Sequence, residues 1–386
     1  MVMTKILVRY AEIALKGKNL NFFENSLISN LKRSLNLPNR AVTKLRKQIL
    51  IEVDESLINQ SLKKLEHIFG VAWFAPVVEV KTDLTVITKA VVSLAKKQIK
   101  NKDTFAIAAH RNDKTISFTS QEADRELGAA VIKATKAKVD LSKPDKTIYL
   151  DLGKINTFIY SAKLAGAGGL PVGTSGKVLC LLSGGFDSIA AAYLLAKRGA
   201  QVDFAHFHVF SDHKQVLKTK IKDIVDGLKE FTYSQKLFLL SYIPFQMEVV
   251  DLSADLAPHE LVVFRRLMIK ATGALAKKHG YEALVVGDSL GQVASQTLSN
   301  IVAVDAAADL PVFRPLIGTD KKEIIDLVRS LGLEQAAIAP YKDCCSIISR
   351  SPATRANPEK IDQIEKKIKI DRLVREIADK AAIINL

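Results

Sequence analysis

The sequence predicts an α/β protein whose second half is a mostly parallel sheet covered by helices on both faces, preceded by a small α+β unit and a compact α/β module. Three observations carry this. Beyond residue 176, short and nearly continuous aliphatic runs alternate with amphipathic helical patterns, as buried parallel strands and their crossover helices require. Before residue 166, strand-period and helix-period patterns also alternate. Between the two lies Gly166-Ala167-Gly168-Gly169-Leu170-Pro171-Val172-Gly173-Thr174-Ser175-Gly176, whose Gly spacing is wrong for a dinucleotide loop and which leads into a strand rather than a helix; it reads as a linker.

Residues 1–58 hold an alternating run (Ile6, Val8, Tyr10), a helical stretch through Phe22, Phe23, Leu27, Leu31 and Leu35, and a strand at 48–53. The next module, 59–165, reads as helix 57–69, strand 73–80, helix 84–100, strand 104–110, a capped helix 120–135, and strands near 147–152 and 156–162. After the linker, 166–176, residues 177–386 read as strand 177–182, helix 188–198, strand 201–209, helix 214–240, strand 247–252, helix 259–279 and strand 283–288. A charged helical tail follows at 358–386.

The 386 residues suffice for two or three domains, and 48% hydrophobic with 25% charged residues describes a globular chain with no apolar run that spans a bilayer. Residues 1–10 carry Lys5 and Arg9 and no signal-peptide core, so a cytoplasmic location and no membrane partner are expected. Three cysteines, two of them adjacent, do not make a disulfide framework.

The net charge of +15 is unevenly spread. Residues 1–176 contain 28 Lys and Arg against 16 Asp and Glu, a net of +12; residues 177–386 contain 28 against 25, a net of +3. A basic first part suits a polyanion such as folded RNA, with Lys16, Lys18, Lys32, Arg33, Arg40, Lys44, Arg46, Lys47 and Arg111 as candidate phosphate contacts. With only 6% aromatic residues, phosphate and shape contacts are favoured over base stacking.

The densest chemical signal is Leu181-Leu182-Ser183-Gly184-Gly185-Phe186-Asp187-Ser188. A strand, a Ser-Gly-Gly turn and a helix aim backbone N–H groups and the positive end of the helix dipole at one point, which is an anion site. A Cβ at Gly184 or Gly185 is expected to obstruct the turn or hold the backbone away from a phosphate. Ser183 and Ser188 can add hydroxyl donors. A carboxylate beside a phosphate needs a cation, so Mg²⁺ is expected near Asp187. The alternative, a plain capped turn, needs only one of these residues. No Walker lysine follows, which disfavours a kinase-like or GTPase-like grip.

Other strand ends carry matching features. His206 and Phe207 can face a purine, Arg265 or Arg266 can reach a phosphate, and Gly287-Asp288-Ser289-Leu290-Gly291-Gln292-Val293-Ala294-Ser295-Gln296-Thr297 puts a glycine, a carboxylate and two amides after a buried strand, with Asp288 a second candidate for a metal. Lys321 opens a helix, where it opposes the dipole, so a substrate or phosphate role is expected. The pair Cys344-Cys345 sits between Lys342 and Arg350, cations that lower a thiol pKa, whereas Cys180 lies in a buried strand. Adjacent cysteines make a poor mutual disulfide, and two thiols are too few for a structural zinc site.

Ser183, Gly184, Gly185, Asp187 and Ser188 resemble the SGGxDS signature of PP-loop ATP pyrophosphatases, residues 59–165 resemble a THUMP domain and residues 1–58 the ferredoxin-like unit that often precedes it. With the Gly287 segment, Lys321 and the cysteine pair, the chain as a whole resembles the tRNA 4-thiouridine synthetase family. The resemblance implies that ATP binds over Leu181, Leu182, Ser183, Gly184, Gly185, Asp187, Ser188, His206, Phe207, Arg265, Gly287 and Gln296, and that uridine 8 of tRNA is adenylated at O4. It further implies that a persulfide on Cys345 replaces that oxygen, Cys344 being the other candidate, with Asp187 and Lys321 serving the activation. Many members carry a further rhodanese domain; here the tail follows the thiol loop, so a separate cysteine desulfurase is the expected persulfide donor. Tests for the thiazole sulfur carrier protein as a second acceptor and for a homodimer follow from the same resemblance. Two rivals remain: another PP-loop adenylating ligase, and a non-catalytic tRNA-binding protein.

Overall fold

The computed structural model describes all residues except Met1, Val2, Ala11, Cys345, Ser346, Ser349 and Arg350. Two compact units result, Met1–Gly169 and Leu170–Leu386. The first consists of β1 (Met3–Arg9), α1 (Leu20–Leu35), β2 (Val42–Leu45), β3 (Gln48–Asp54), α2 (Ile58–Leu65), β4 (Trp73–Lys81), α3 (Leu84–Gln98), β5 (Thr104–Arg111), α4 (Ser120–Thr135), β6 (Lys138–Val139), β7 (Lys146–Leu152), β8 (Asn156–Tyr160) and β9 (Leu164–Ala165).

Its strands form one sheet ordered β2-β3-β1-β4-β8-β7-β5-β6, with β9 also on β4. Strand β4 joins the two halves: Trp73 to Val77 pair with β1, and Val78 to Lys81 pair with β8. The helices follow their apolar spacing. Ile87, Val91 and Ala95 of α3 and Ala123, Leu127 and Val131 of α4 recur every four residues and share a core with Phe105, Ile148 and Leu150. Asp83 caps α3, and Thr119 with Glu122 forms a capping box on α4.

The second unit comprises β10 (Lys177–Leu181), α5 (Phe186–Lys197), β11 (Gln201–His208), α6 (Lys220–Thr232), β12 (Lys236–Ser241), α7 (Ile243–Val249), α8 (Glu260–His279), β13 (Ala283–Val285), α9 (Leu298–Asp305), β14 (Val312–Phe313), α10 (Lys321–Ser330), α11 (Glu334–Ile338), α12 (Pro358–Lys367), α13 (Ile370–Asp379) and β15 (Ala382–Asn385). The sheet order is β14-β13-β10-β11-β12-β15, parallel except for β15. From β10 the chain winds outward through β11 and β12, then returns to place β13 on the other side of β10. This reversal leaves a crevice at the carboxyl ends of β10 and β13, where open α/β sheets bind ligands.

Two expectations are corrected. Residues 214–240 are not one helix: α6 stops at Tyr233, which takes a left-handed φ of 51°, and Leu237 to Leu240 form a wholly buried strand between β11 and β15. A short continuous apolar run fits a buried strand or a buried helix equally well, and here the neighbouring strands decide. Nor is 247–252 a strand, because α7, with Pro244 in its first turn, covers its start and leaves Met247 and Val250 exposed. The tail likewise ends in β15, an antiparallel edge strand, rather than in helix alone.

Around the glycine-rich junction, Gly166 and Gly168 donate to the carbonyls of Ala72 and Val71, whereas Leu170, Gly173 and Ser175 donate to those of Lys197 and Gly199. Among the described residues, no helix is long and apolar enough to cross a membrane.

Candidate active site

A cavity of about 210 Å³ opens at the crevice between β10 and β13, lined among others by Ser183, Asp187, Arg265, Gly287, Asp288 and Gln296. Its apolar walls are Leu181, Met268, Ile269, Val286 and Val293. The first N–H groups of α5, which have no partner inside the helix, begin at this loop and bring the positive end of the dipole with them.

The loop is shaped by its own serines. Ser188, almost wholly buried, donates its hydroxyl to the Gly185 carbonyl at 3.0 Å and accepts from the Ser183 N–H at 3.2 Å, while the Gly185 N–H donates to Ser183 Oγ at 3.3 Å. The single Ser188 proton is therefore spent inside the turn, which corrects its expected use as a phosphate donor. Gly184 has φ 84°, and a Cβ there would stand 2.7 Å from Ile221 Cδ1. A Cβ at Gly185 would meet only Ser183 Oγ at 3.6 Å, so the expected obstruction of the turn itself is absent there. The stricter case is Gly287: a Cβ would come within 2.6 Å of the Asp187 carbonyl carbon, so only glycine lets the end of β13 close on the start of α5.

Asp187 is held from two sides. Lys321 Nζ donates to Oδ1 at 2.6 Å and Gln292 Nε2 to Oδ2 at 2.9 Å. The lysine that opposes the dipole of α10 thus finds its counter-charge on the loop, 134 residues away in sequence. Asp288 is held differently. Arg265 Nη2 reaches both of its oxygens at 2.8 Å and Arg314 Nε adds a third bond at 3.1 Å, while Arg314 also pairs with Asp305 at 2.6 Å. Both Asp288 oxygens are engaged by guanidinium groups, which contradicts the expectation that it shares a metal. Arg265 still lines the cavity, but Arg266 does not act there: it forks onto Glu365 at 2.6 and 3.1 Å and ties α8 to α12.

Gln296 is buried in the cavity wall, with Nε2 3.5 Å from Asp288 and Oε1 without a hydrogen-bond partner. A buried orphan acceptor is costly and suits a ligand N–H. His206 corrects another expectation. Fully buried, it contacts the Leu182 carbonyl through Nδ1 and the Tyr341 hydroxyl through Nε2, each at 2.6 Å, so neither ring nitrogen is left for a purine. Phe207 is buried edge-on against Phe264 in the core rather than over the cavity.

Lys220 was not singled out by sequence reasoning. Its Cε would lie 3.2 Å from a Gly184 Cβ, its Nζ donates to the Ala337 carbonyl at 2.8 Å, and burial lowers its pKa. Its only sequence signal, a lysine opening a helix, is the one that flagged Lys321. Cys180 is buried in β10, where desolvation pushes its thiol up to about 12. Cys344 is buried in the main core of this unit, and Cys345 lies outside the described residues.

In the first unit, Lys18, Arg46 and Lys47 are exposed, the last two at the tip of the β2–β3 hairpin, and Lys16 Nζ lies 4.9 Å from the centre of the Phe23 ring. Arg111 donates to the Phe118 carbonyl at 3.1 Å, bracing the turn into α4. An unexpected aromatic group also appears: Tyr149 and Tyr160 stack at 5.3 Å, Trp73 lies 5.6 Å from Tyr160, and Lys163 Nζ sits 4.1 Å from the Tyr149 centroid. Its members come from separate strands, so no local pattern announces it.

Comparisons with known proteins cover all of these parts. Residues 173–370 match the family described as thiamine biosynthesis protein (ThiI), residues 5–75 the ThiI ferredoxin-like domain, and residues 81–162 the THUMP domain. A probable tRNA sulfurtransferase of Caldanaerobacter subterraneus is 36% identical over 96% of this chain and 96% of its own. One of Anoxybacillus flavithermus is 34% identical over 99% and 96%. Among solved structures, a 4-thiouridine synthetase in complex with RNA and ATP matches with a TM-score of 0.89 at 30% identity, covering both chains in full. A Pyrococcus horikoshii protein, at a TM-score of 0.65 and 22% identity over 86% and 100% of the two chains, shares the fold.

Proposed function

The chain belongs to the ThiI family of tRNA sulfurtransferases, and from that premise we propose that it adenylates uridine 8 of tRNA at O4 with ATP and exchanges that oxygen for sulfur, giving 4-thiouridine. The observation that carries the reading is the crevice itself: a Ser-Gly-Gly turn opens onto the N-terminus of α5, whose first turn carries a carboxylate, Asp187, that is neutralised by Lys321.

ATP binds with its phosphates over Leu181, Leu182, Ser183, Gly184, Gly185, Asp187 and Ser188. Arg265, Gly287 and Gln296 form the opposite wall, and the orphan Gln296 Oε1 accepts from a base or ribose donor. His206 and Phe207 contribute through the backbone end of β11. At about 210 Å³ the cavity is smaller than the ~300–1,000 Å³ of an ordinary ligand pocket, so a nucleotide fills it in part and extends over the open loop. The N–H groups that open α5 and Lys321 stabilise the charge that develops as O4 attacks the α-phosphate and pyrophosphate leaves. Among the described residues no cluster of three metal-ligating side chains exists, but Mg²⁺ needs only one or two carboxylates plus substrate phosphates, and Asp187 at the cavity mouth fits that demand. Asp187 would hold Mg²⁺ there, and the ion would supply neutralising charge to the phosphates.

In the second step the terminal sulfur of a persulfide on Cys345 attacks C4 and AMP departs, leaving C4 joined to Cys345 through two sulfurs; an external thiol then attacks Sγ of Cys345, the S–S bond breaks to free the thiocarbonyl, and a disulfide between Cys345 and that thiol forms. A cysteine desulfurase provides the persulfide sulfur. Residues 1–58 and 59–165 hold the tRNA, with Lys16, Lys18, Arg46, Lys47 and Arg111 in its phosphate field, and 177–386 perform the chemistry, in the cytoplasm. The family description also favours the thiazole sulfur carrier protein as a second acceptor, and a homodimer is open to a mass measurement.

The test is incubation with unmodified tRNA, ATP, Mg²⁺, cysteine and a desulfurase. Thiouridine absorbance in the near ultraviolet is expected, with loss of product in Cys345→Ser. Full turnover by that variant would favour an amide-forming ligase instead.

A further inference from the structure

Two groups join the nucleotide loop to the chain that carries the cysteines, and neither touches the cavity. Leu182, immediately before the Ser-Gly-Gly turn, is fixed by its N–H, which donates to the Ala205 carbonyl at 2.8 Å. Its carbonyl receives His206 Nδ1, and His206 Nε2 meets the hydroxyl of Tyr341, three residues before Cys344. Because burial lowers the His206 pKa to about 4, the ring is neutral and carries one N–H. A carbonyl can only accept, so that proton sits on Nδ1, and the Tyr341 hydroxyl must donate to Nε2. The sense of the chain is fixed: Tyr341 O–H to His206, His206 N–H to Leu182. A second tie runs nearby, where Lys220, lying beside Gly184, donates to Ala337 at the end of α11, just upstream of Tyr341.

We propose that Tyr341 is a positioning residue which, through His206, ties the chain from Tyr341 to Cys344 to the nucleotide loop at Leu182, so that occupancy of the loop is coupled to the sulfur-transfer step. The proposal rests on the sulfurtransferase reading above. It separates the two steps of that reaction: adenylation uses the loop and the tRNA and does not need the tyrosine hydroxyl, whereas sulfur transfer needs the cysteine segment in register with the adenylated base. The replacement of the hydroxyl by hydrogen keeps the ring contacts with His206 and Phe210 at 5.6 and 6.2 Å and removes only the bond.

The experiment is Tyr341→Phe in the full chain. Pyrophosphate release with tRNA and ATP is expected within about twofold of the wild type. Single-turnover thiouridine formation from enzyme loaded with persulfide is expected to fall roughly tenfold, with KM for tRNA and ATP unchanged. Equal losses in both steps, or none in either, would overturn the proposal. A second readout needs no turnover. In the wild type a non-hydrolysable ATP analogue should change the rate at which iodoacetamide alkylates Cys345, and Tyr341→Phe should abolish that change; its persistence would also defeat the proposal. Absence of thiouridine in the wild type would sink the sulfurtransferase reading while leaving the alkylation result to decide the coupling.

Discussion

Two aspartates stand at the mouth and at the wall of one crevice and are treated in opposite ways. Asp187, at the start of α5, is 22% exposed and is held by one flexible lysine and one amide. Asp288, after β13, is 5% exposed and locked by two guanidiniums, one of which extends to Asp305. Their difference separates chemistry from architecture. A single ammonium on a long stem can leave its carboxylate when a phosphate or a cation arrives, whereas a forked, buried network cannot be opened without stranding charge.

The largest effect that would break this contrast is on activity. Asp187→Ala is expected to lower the rate of pyrophosphate release about 10²–10³-fold while the thermal unfolding midpoint moves little, because Lys321, the charged partner left behind, is 44% exposed and can be solvated. If the midpoint falls instead, Asp187 is architectural. Asp288→Ala should do the reverse in kind. Leaving Arg265 and Arg314 buried without their carboxylate costs about 3–5 kcal/mol in a urea titration, and an unchanged midpoint would place Asp288 with the exchangeable groups.

Acid sharpens the comparison by acting at a third strand end. His206 and His208, buried at the end of β11, have pKa values lowered to about 4, with burial the largest cause for both. Their folded-state values lie below the ordinary 6.5, so the unfolded chain binds more protons between those limits, and stability falls as pH drops from about 6.5 towards 4. For His206 alone the loss is about 3 kcal/mol across that window. The His206→Gln variant should lose most of its own share of this slope; an unchanged slope would show that the ring is not held neutral.

Much of this crevice was legible locally. The strand, turn and helix around Ser183 to Ser188 follow from an apolar run, two glycines and an amphipathic segment, and the capping box at Thr119 and Glu122 is a pattern four residues long. The positive charge concentrated before residue 177 and the spacing of the α4 core face were equally readable. The identity of Leu237 to Leu240 as a strand was not, since that run carries no period of its own and took its form from β11 and β15 on either side.

By itself, the sequence determined which short stretches could bind an anion and which faces had to be buried, because those are properties of neighbours in the chain. Only the tertiary structure decided what the polar groups do once there: that Ser188 shapes the turn, that His206 spends both nitrogens on Leu182 and Tyr341, that Arg265 and Arg314 claim Asp288, and that Lys321 answers Asp187. Hydrogen bonds and ion pairs act over about 3 Å, and the sheet brings within that reach groups separated by as many as 135 residues.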